Sequence, residues 1–248
     1  SAIMLRRIDH GDYDLIITFF TLNRGKIAII AKAAKKSVKR FSGILELFSI
    51  LRMVCTTGRG NGLPVIQEAT LTHPFFRIRG DVKKTAYASY WAELIDGWME
   101  NGQKQVQLYH LFQYVLEELD LGHIPEEALS ILFQMRFMKI SGLCPNLTHC
   151  SVCKCEIESR GKERVIFDLG RGGIVCEDCG SGLLRRISLS KGTLKQLLWI
   201  GDGDLKKAGR MRFTPRGAKE GLDFLEAFVP YHLEKEPRSL KFLREIRR

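Results

Sequence analysis

The sequence predicts an α+β chain: a small five-stranded β-barrel at the N-terminus, a helical domain after it, and a zinc-ribbon module inserted into the helical part. Three observations carry this. The first 70 or so residues are short β-branched and aromatic runs separated by turns. From about residue 80 the apolar period becomes helical. Six of the seven cysteines (Cys55, Cys144, Cys150, Cys153, Cys155, Cys176, Cys179) fall between positions 144 and 179.

The strand region reads from residue 3. Residues 15–21 (LIITFFT) and 26–31 (KIAIIA) are apolar and β-branched, and Asn23-Arg24-Gly25 separates them as a turn. A longer strand is expected over about 43–55, a turn at Gly58–Gly62, and a last strand from Leu63 to Thr72. Five short strands in so few residues suit a closed barrel.

In the helical region Tyr87, Trp91, Leu94, Ile95 and Trp98 recur on one helical face, with Asp81 as a plausible N-cap. A second helix is expected over 103–121, ending at Gly122, and a third from Pro125 to near Gly142. Ser190 caps a helix running to about 200, which residues 201–204 (GDGD) break. A last helix covers 216–233, and a basic tail follows. The expected division is 1–78, 79–145, 146–184 and 185–248. No run of 18 apolar residues occurs, and the N-terminus lacks the charged-then-apolar pattern of a secretory leader.

Cys150-x2-Cys153 and Cys176-x2-Cys179 are separated by 22 residues. A two-residue spacer lets one tight knuckle present two sulfurs to one ion, and two knuckles complete a tetrahedron of thiolates. Between them, residues 164–169 (RVIFDL) read as a strand and Gly170 with Gly172-Gly173 as a turn. Cys144 and Cys155 are read as bystanders. His149 could substitute as a ligand, but its adjacency to Cys150 makes simultaneous binding awkward. A four-thiolate site leaves no open position for water, so the expected zinc is structural. An odd cysteine count concentrated in one segment suits a reducing, cytosolic protein better than a disulfide framework.

Net charge is +11, unevenly spread: 15 basic and 6 acidic residues in 1–85, 3 and 8 in 86–145, 21 and 14 in 146–248. Such asymmetry implies a polyanionic partner, nucleic acid before membrane headgroups. Arg24, Lys26, Lys32, Lys35, Lys36, Lys39 and Arg40 lie in a stretch, Leu15 to Leu45, that contains no acid. Five of them fall in Lys32–Arg40, a loop between strands that can follow a phosphate backbone. Phe41, Phe19, Phe20 and Phe48 are candidates for stacking on bases, with the barrel core as the more common fate of strand aromatics. Lys83-Lys84, Arg185-Arg186, Lys206-Lys207 and the tail (Arg238, Lys241, Arg244, Arg247, Arg248) are weaker candidates.

Nothing in the sequence assembles a catalytic site. No G-x-x-x-x-G-K-[ST] phosphate loop occurs, and the six histidines are scattered. Zinc deaminases require H-x-E ahead of P-C-x-x-C. Here neither cysteine pair follows a proline, and His232-Leu233-Glu234 comes after both pairs. A non-enzymatic protein is therefore expected.

The ordered set of these features resembles the RecO family. Residues 3–6 (IMLR), 12–21 (DYDLIITFFT) and 24–26 (RGK) are similar to its opening, and 32–36 (KAAKK) with Arg40-Phe41 to its basic loop. Residues 88–95 (ASYWAELI) resemble its first long helix. Residues 142–147 (GLCPNL), the two cysteine pairs and Gly172-Gly173 resemble its zinc module. The likeness spans almost the whole chain. It implies an N-terminal OB-fold DNA-binding domain, a helical domain and a zinc-ribbon insertion. It also implies binding of single- and double-stranded DNA, annealing, and loading of RecA onto strands coated by single-stranded DNA-binding protein. RecR and that protein's acidic C-terminal tail would be the partners, in the bacterial cytoplasm at the nucleoid. DNA contact would fall to Arg24, Lys26, Lys32, Lys35, Lys36, Lys39 and Arg40, and zinc to Cys150, Cys153, Cys176 and Cys179. Some family members lack the cysteines, so zinc would not be essential to the common activity.

Two other classes use some of the same features. A zinc-ribbon RNA-binding protein of translation or transcription would share the barrel, the loop and the ribbon. A metal-dependent enzyme would need an open coordination position.

Overall fold

The structure is a computed structural model describing residues 1–37, 40–57, 62–157, 163–180 and 186–247. Two compact units are present: Ser1–Leu121 together with Pro237–Arg248, and Gly122–Glu236. The change from strand to helix expected near residue 78 falls inside the first.

Strands β1 (Ala2–His10), β2 (Asp14–Thr21), β3 (Gly25–Ala31), β4 (Ile50–Thr56) and β5 (Val65–His73) close into a barrel of order β1-β2-β3-β5-β4. All pairs are antiparallel except β3 with β5, the topology of an OB-like barrel. Alternation along β2 sends Ile17 and Phe19 into a core with Met4, Ile29, Leu51 and Ile66. Phe20, facing the other way, meets Tyr109 of helix α3 (Val106–Leu121) edge-on at 5.5 Å.

The strand expected over 43–55 begins only at Ile50. Residues 41–48 are turns, with Gly43 and Phe48 in the left-handed region, and they lower Phe41 and Leu45 into the barrel core. Apolar content there signals core filling without strand pairing. The β1 strand is also unusual. A register shift follows Met4, residues 2–5 are buried, and residues 6–10 are exposed on both faces. The β1–β2 hairpin thus projects beyond the barrel core.

In the same unit, α1 (Phe76–Arg79) leads into α2 (Val82–Trp98), whose N-cap Asp81 accepts from Lys84 N at 3.0 Å. Helix α8 (Arg238–Ile246) lies against α2 and buries Leu240 and Leu243. It is the segment read from sequence as a basic tail. The Glu93 carboxylate on α2 accepts from Arg238 N at 3.1 Å and from Ser239 N at 2.9 Å, capping α8.

The second unit is built on α4 (Glu126–Ile140), buried almost all round as a central helix must be. A three-stranded sheet, β7 (Gly173–Val175), β6 (Arg164–Asp168), β8 (Arg186–Ser190), joins α5 (Lys191–Asp202), α6 (Leu205–Gly209) and α7 (Pro215–His232). Phe167 of β6 packs edge-on against Phe224 and Phe228 of α7 at 4.7 and 5.5 Å. Ser190 caps α5 as expected, accepting from Thr193 N. Glu220 of α7 ties these pieces together: it accepts from Arg164 at 2.8 Å, Ser190 N at 3.0 Å and Thr193 Oγ1 at 3.0 Å. Burial would raise its pKa. Arg164 first, then Ser190 and Thr193, outweigh burial and hold it down to about 2.

Candidate nucleic-acid interface and metal centre

The basic loop leaves β3 at Ala31 and folds onto the β1–β2 turn. Lys35 N donates to Tyr13 O at 3.1 Å, and Ala33 N to Asp14 Oδ1 at 2.7 Å. Ala33 itself is left-handed, φ 52°. Lys32, Lys35 and Lys36 are therefore gathered, all exposed, at the tip of the projecting hairpin. The fold also brings back acids that the linear stretch lacks. Lys35 Nζ pairs with Asp9 at 2.9 Å, and Asp12 and Asp14 sit in the same turn. Lys36 Nζ instead stands 3.3 Å above the ring centroid of Tyr13.

The six of the seven cations that lie among the described residues do not form one patch. Arg40 is bound to β5, its Nη2 donating to Ile66 O at 3.2 Å and Gln67 O at 2.9 Å, its guanidinium 4.6 Å from the Phe41 ring. Arg24 is exposed in the β2–β3 turn. That turn is six residues along the hairpin from the loop end, about 20 Å at ~3.3 Å per residue. Lys26 is 13% exposed, with its ammonium 3.3 Å from Asp96 Oδ1 and bonded to Asp96 O at the end of α2. Lys39 lies outside the described residues, as do Arg185 and Arg248. The phenylalanines offered for stacking, Phe19, Phe20, Phe41 and Phe48, are all in the core. The exposed aromatic at the loop is Tyr13, which sequence reading passed over; its signal was a tyrosine set between Asp12 and Asp14 in a turn where no apolar partner is due.

The metal centre lies in the second unit. The first knuckle is laid alongside β7 by three backbone bonds: Asn146 N to Gly172 O (2.9 Å), Ile174 N to Asn146 O (2.9 Å) and Ser151 N to Ile174 O (2.8 Å). This requires glycine at 173, where a Cβ would stand 2.2 Å from Ser151 Oγ. Since β7 runs directly into Cys176, that approach sets the second knuckle on the first. The sulfurs of Cys150, Cys153, Cys176 and Cys179 all lie within 4.8 Å of one another. Tetrahedral thiolates at about 2.3 Å from an ion would be roughly 3.8 Å apart, and Cys153 and Cys176 are at 3.6 Å.

The knuckle backbone is set to hold thiolates. Cys150 Sγ accepts from Cys176 N at 3.3 Å and Val152 N at 3.4 Å. Burial opposes ionisation, but these donors bring the Cys150 pKa down to about 6, while its neighbours, Cys176 first, push Cys179 up to about 12. Four thiolates in this space need a cation between them, so the donor set fits a metal ion. Cys155 supplies a further sulfur 3.3 Å from Cys153. His149 turns away: Nδ1 meets Thr148 Oγ1 at 2.9 Å and Nε2 faces Glu156 at 3.8 Å. Cys144 is exposed, with its thiol pKa raised by partial burial.

Two family models cover this architecture in turn. Residues 1–75 match the recombination protein O N-terminal domain and residues 79–241 its C-terminal domain. The chain belongs to the RecO family. It is 46% identical over its full length to the DNA repair protein RecO of Desulfatibacillum aliphaticivorans, covering 96% of that protein. It is 47% identical over 99% of its length to that of Desulfosudis oleivorans, again covering 96%. The corresponding protein of Anaeromyxobacter sp. (strain K) is 32% identical over 99% of the chain, with 95% of the relative covered. These RecO relatives are named for DNA repair, and the RNA-binding reading finds no support in them. Among the described residues, no helix is long and apolar enough to cross a membrane.

Proposed function

We propose that the chain is a DNA-binding recombination mediator in DNA repair. It binds single- and double-stranded DNA, anneals complementary strands, and with RecR helps load RecA onto strands coated by single-stranded DNA-binding protein, whose acidic C-terminal tail it recognises. It acts without bond-breaking chemistry, in the cytoplasm at the nucleoid. The observation that carries this is the match of both RecO domains over the whole chain. The exposed lysines at the tip of an OB-like barrel support it, since point charges on a loop neutralise phosphates without reading sequence.

The metal in this reading is one structural zinc on Cys150, Cys153, Cys176 and Cys179. When bound it would offset two of the four thiolate charges and tie the two knuckles, replacing core that so small a segment lacks. Metal analysis of protein purified without added zinc should return close to one equivalent. Cys150→Ser should lower that value and Cys155→Ser should not; loss of metal from the Cys155 variant would overturn the ligand set.

The test of the function is annealing of complementary DNA strands precoated with their binding protein, with and without this chain. Faster annealing is expected, with an affinity that falls steeply as salt rises. No acceleration at any salt concentration would overturn the reading.

A further inference from the structure

Three large aromatic side chains are exposed in the described part of the N-terminal unit: Tyr13, Phe76 and Phe242. Phe76 belongs to α1 and Phe242 to α8; Tyr13 alone is on the barrel, at the tip that carries Lys32, Lys35 and Lys36. With Lys36 already over one face of its ring, Tyr13 is still 45% exposed. An exposed ring with one ammonium on its face and two further lysines on the adjoining loop matches a nucleotide, which carries one flat π-surface and one phosphate.

We propose that Tyr13 is a base-stacking residue for single-stranded nucleic acid and that Lys36 is its exchangeable cover. The proposal rests on the DNA-binding reading and deepens it. In the free protein the Lys36 ammonium sits on the ring. When a strand binds, the ammonium moves to a phosphate and a base takes the face it leaves. The exchange is favourable in both halves. A cation over an exposed ring is held weakly, whereas a base stacked on an aromatic is held more strongly. The lysine in turn gains a charged partner and releases a counterion. Every base has a π-face, so the contact is tolerant of sequence. Bases in a duplex are already stacked on one another, so it discriminates single strands from double.

A purely architectural role for the side chain is a poor fit to the geometry. The loop is anchored to this turn through Tyr13 O and Asp14 Oδ1, and both bonds survive truncation of the Tyr13 ring. Tyr13→Ala should therefore fold and keep the lysines in place, while Tyr13→Phe keeps the π-surface.

The test is fluorescence anisotropy at one fixed salt concentration with three probes of equal length: oligothymidine, an abasic strand, and a duplex. Tyr13→Ala should bind oligothymidine about fivefold or more weakly, the low end of what stacking on an aromatic contributes. Its affinity for the abasic strand and the duplex should stay within about twofold, and Tyr13→Phe should match the parent on all three. Equal loss on every probe would mean that the ring acts only by placing Lys36, and unchanged oligothymidine binding would mean that no base stacks there; either overturns the proposal. If the parent protein binds none of the probes, the DNA-binding reading itself fails, a result distinct from both.

Discussion

The β2–β3 hairpin has a cluster of basic residues at each end, and the two ends have opposite fates. At the turn, Gly25 lies against α2–α3 connecting chain so closely that a Cβ would stand 1.9 Å from Gln103 O, and Lys26 is drawn onto Asp96. At the loop, Lys32, Lys35 and Lys36 project on a hairpin that has left the barrel core. One lysine in the acid-free stretch holds the barrel to its helices; three others face solvent. Charge counted along the chain cannot separate these roles, because the partner that silences Lys26 is 70 residues away.

The strongest way to break this comparison is to reverse the charge at the loop end. Changing Lys32, Lys35 and Lys36 to Glu moves the tip by six charges, against a turn that already holds Asp9, Asp12 and Asp14. Losing several phosphate contacts together should lower single-strand affinity by roughly a hundredfold or more at moderate salt. The thermal midpoint and metal content should hardly change, since these side chains are exposed and the cysteine cluster lies in the other unit. The control, a smaller change of four charges, is Arg238→Glu with Lys241→Glu on the exposed face of α8. If the control loses binding and the loop variant keeps it, the DNA path runs over the helices.

What the sequence made legible was local. Short β-branched and aromatic runs between turns gave four of the barrel strands their place, Asp81 and Ser190 announced their helices, and paired two-residue spacings announced the cysteine cluster. What it concealed depends on contacts distant in sequence. Helix α8 looks like a charged tail because only Leu240 and Leu243 are buried in it, and its cap, Glu93, comes from 145 residues away. Strand β8 is short and polar, and it exists because β6 offers it an edge. Residues 43–49 have strand-like composition, yet Leu45 among them is used, with Phe41 just before them, as filling for the barrel. The same limit applies to the site. Linear reading favoured the core for the phenylalanines, which is where they lie, and missed Tyr13, whose exposure follows from a hairpin that overshoots the barrel.

A smaller effect is expected at the turn end, and it sharpens the contrast. Lys26→Ala removes an ammonium that is mostly buried and that serves two acceptors, the Asp96 carboxylate and the Asp96 carbonyl in the last turn of α2. A cation there satisfies an otherwise terminal carbonyl and complements the helix dipole. Its loss leaves a carboxylate 27% exposed without this partner. Hydrogen bonds to charged groups are worth about 1.5–3 kcal/mol, so the unfolding free energy should fall by an amount of that order, read as a lower urea midpoint. Single-strand affinity of the folded protein should remain within about twofold. The measurement pairs a urea unfolding curve with the anisotropy titration on the same preparation. Should Lys26→Ala lose affinity while its unfolding curve is unmoved, the turn end would be part of the DNA surface, and the division of labour along the hairpin would collapse.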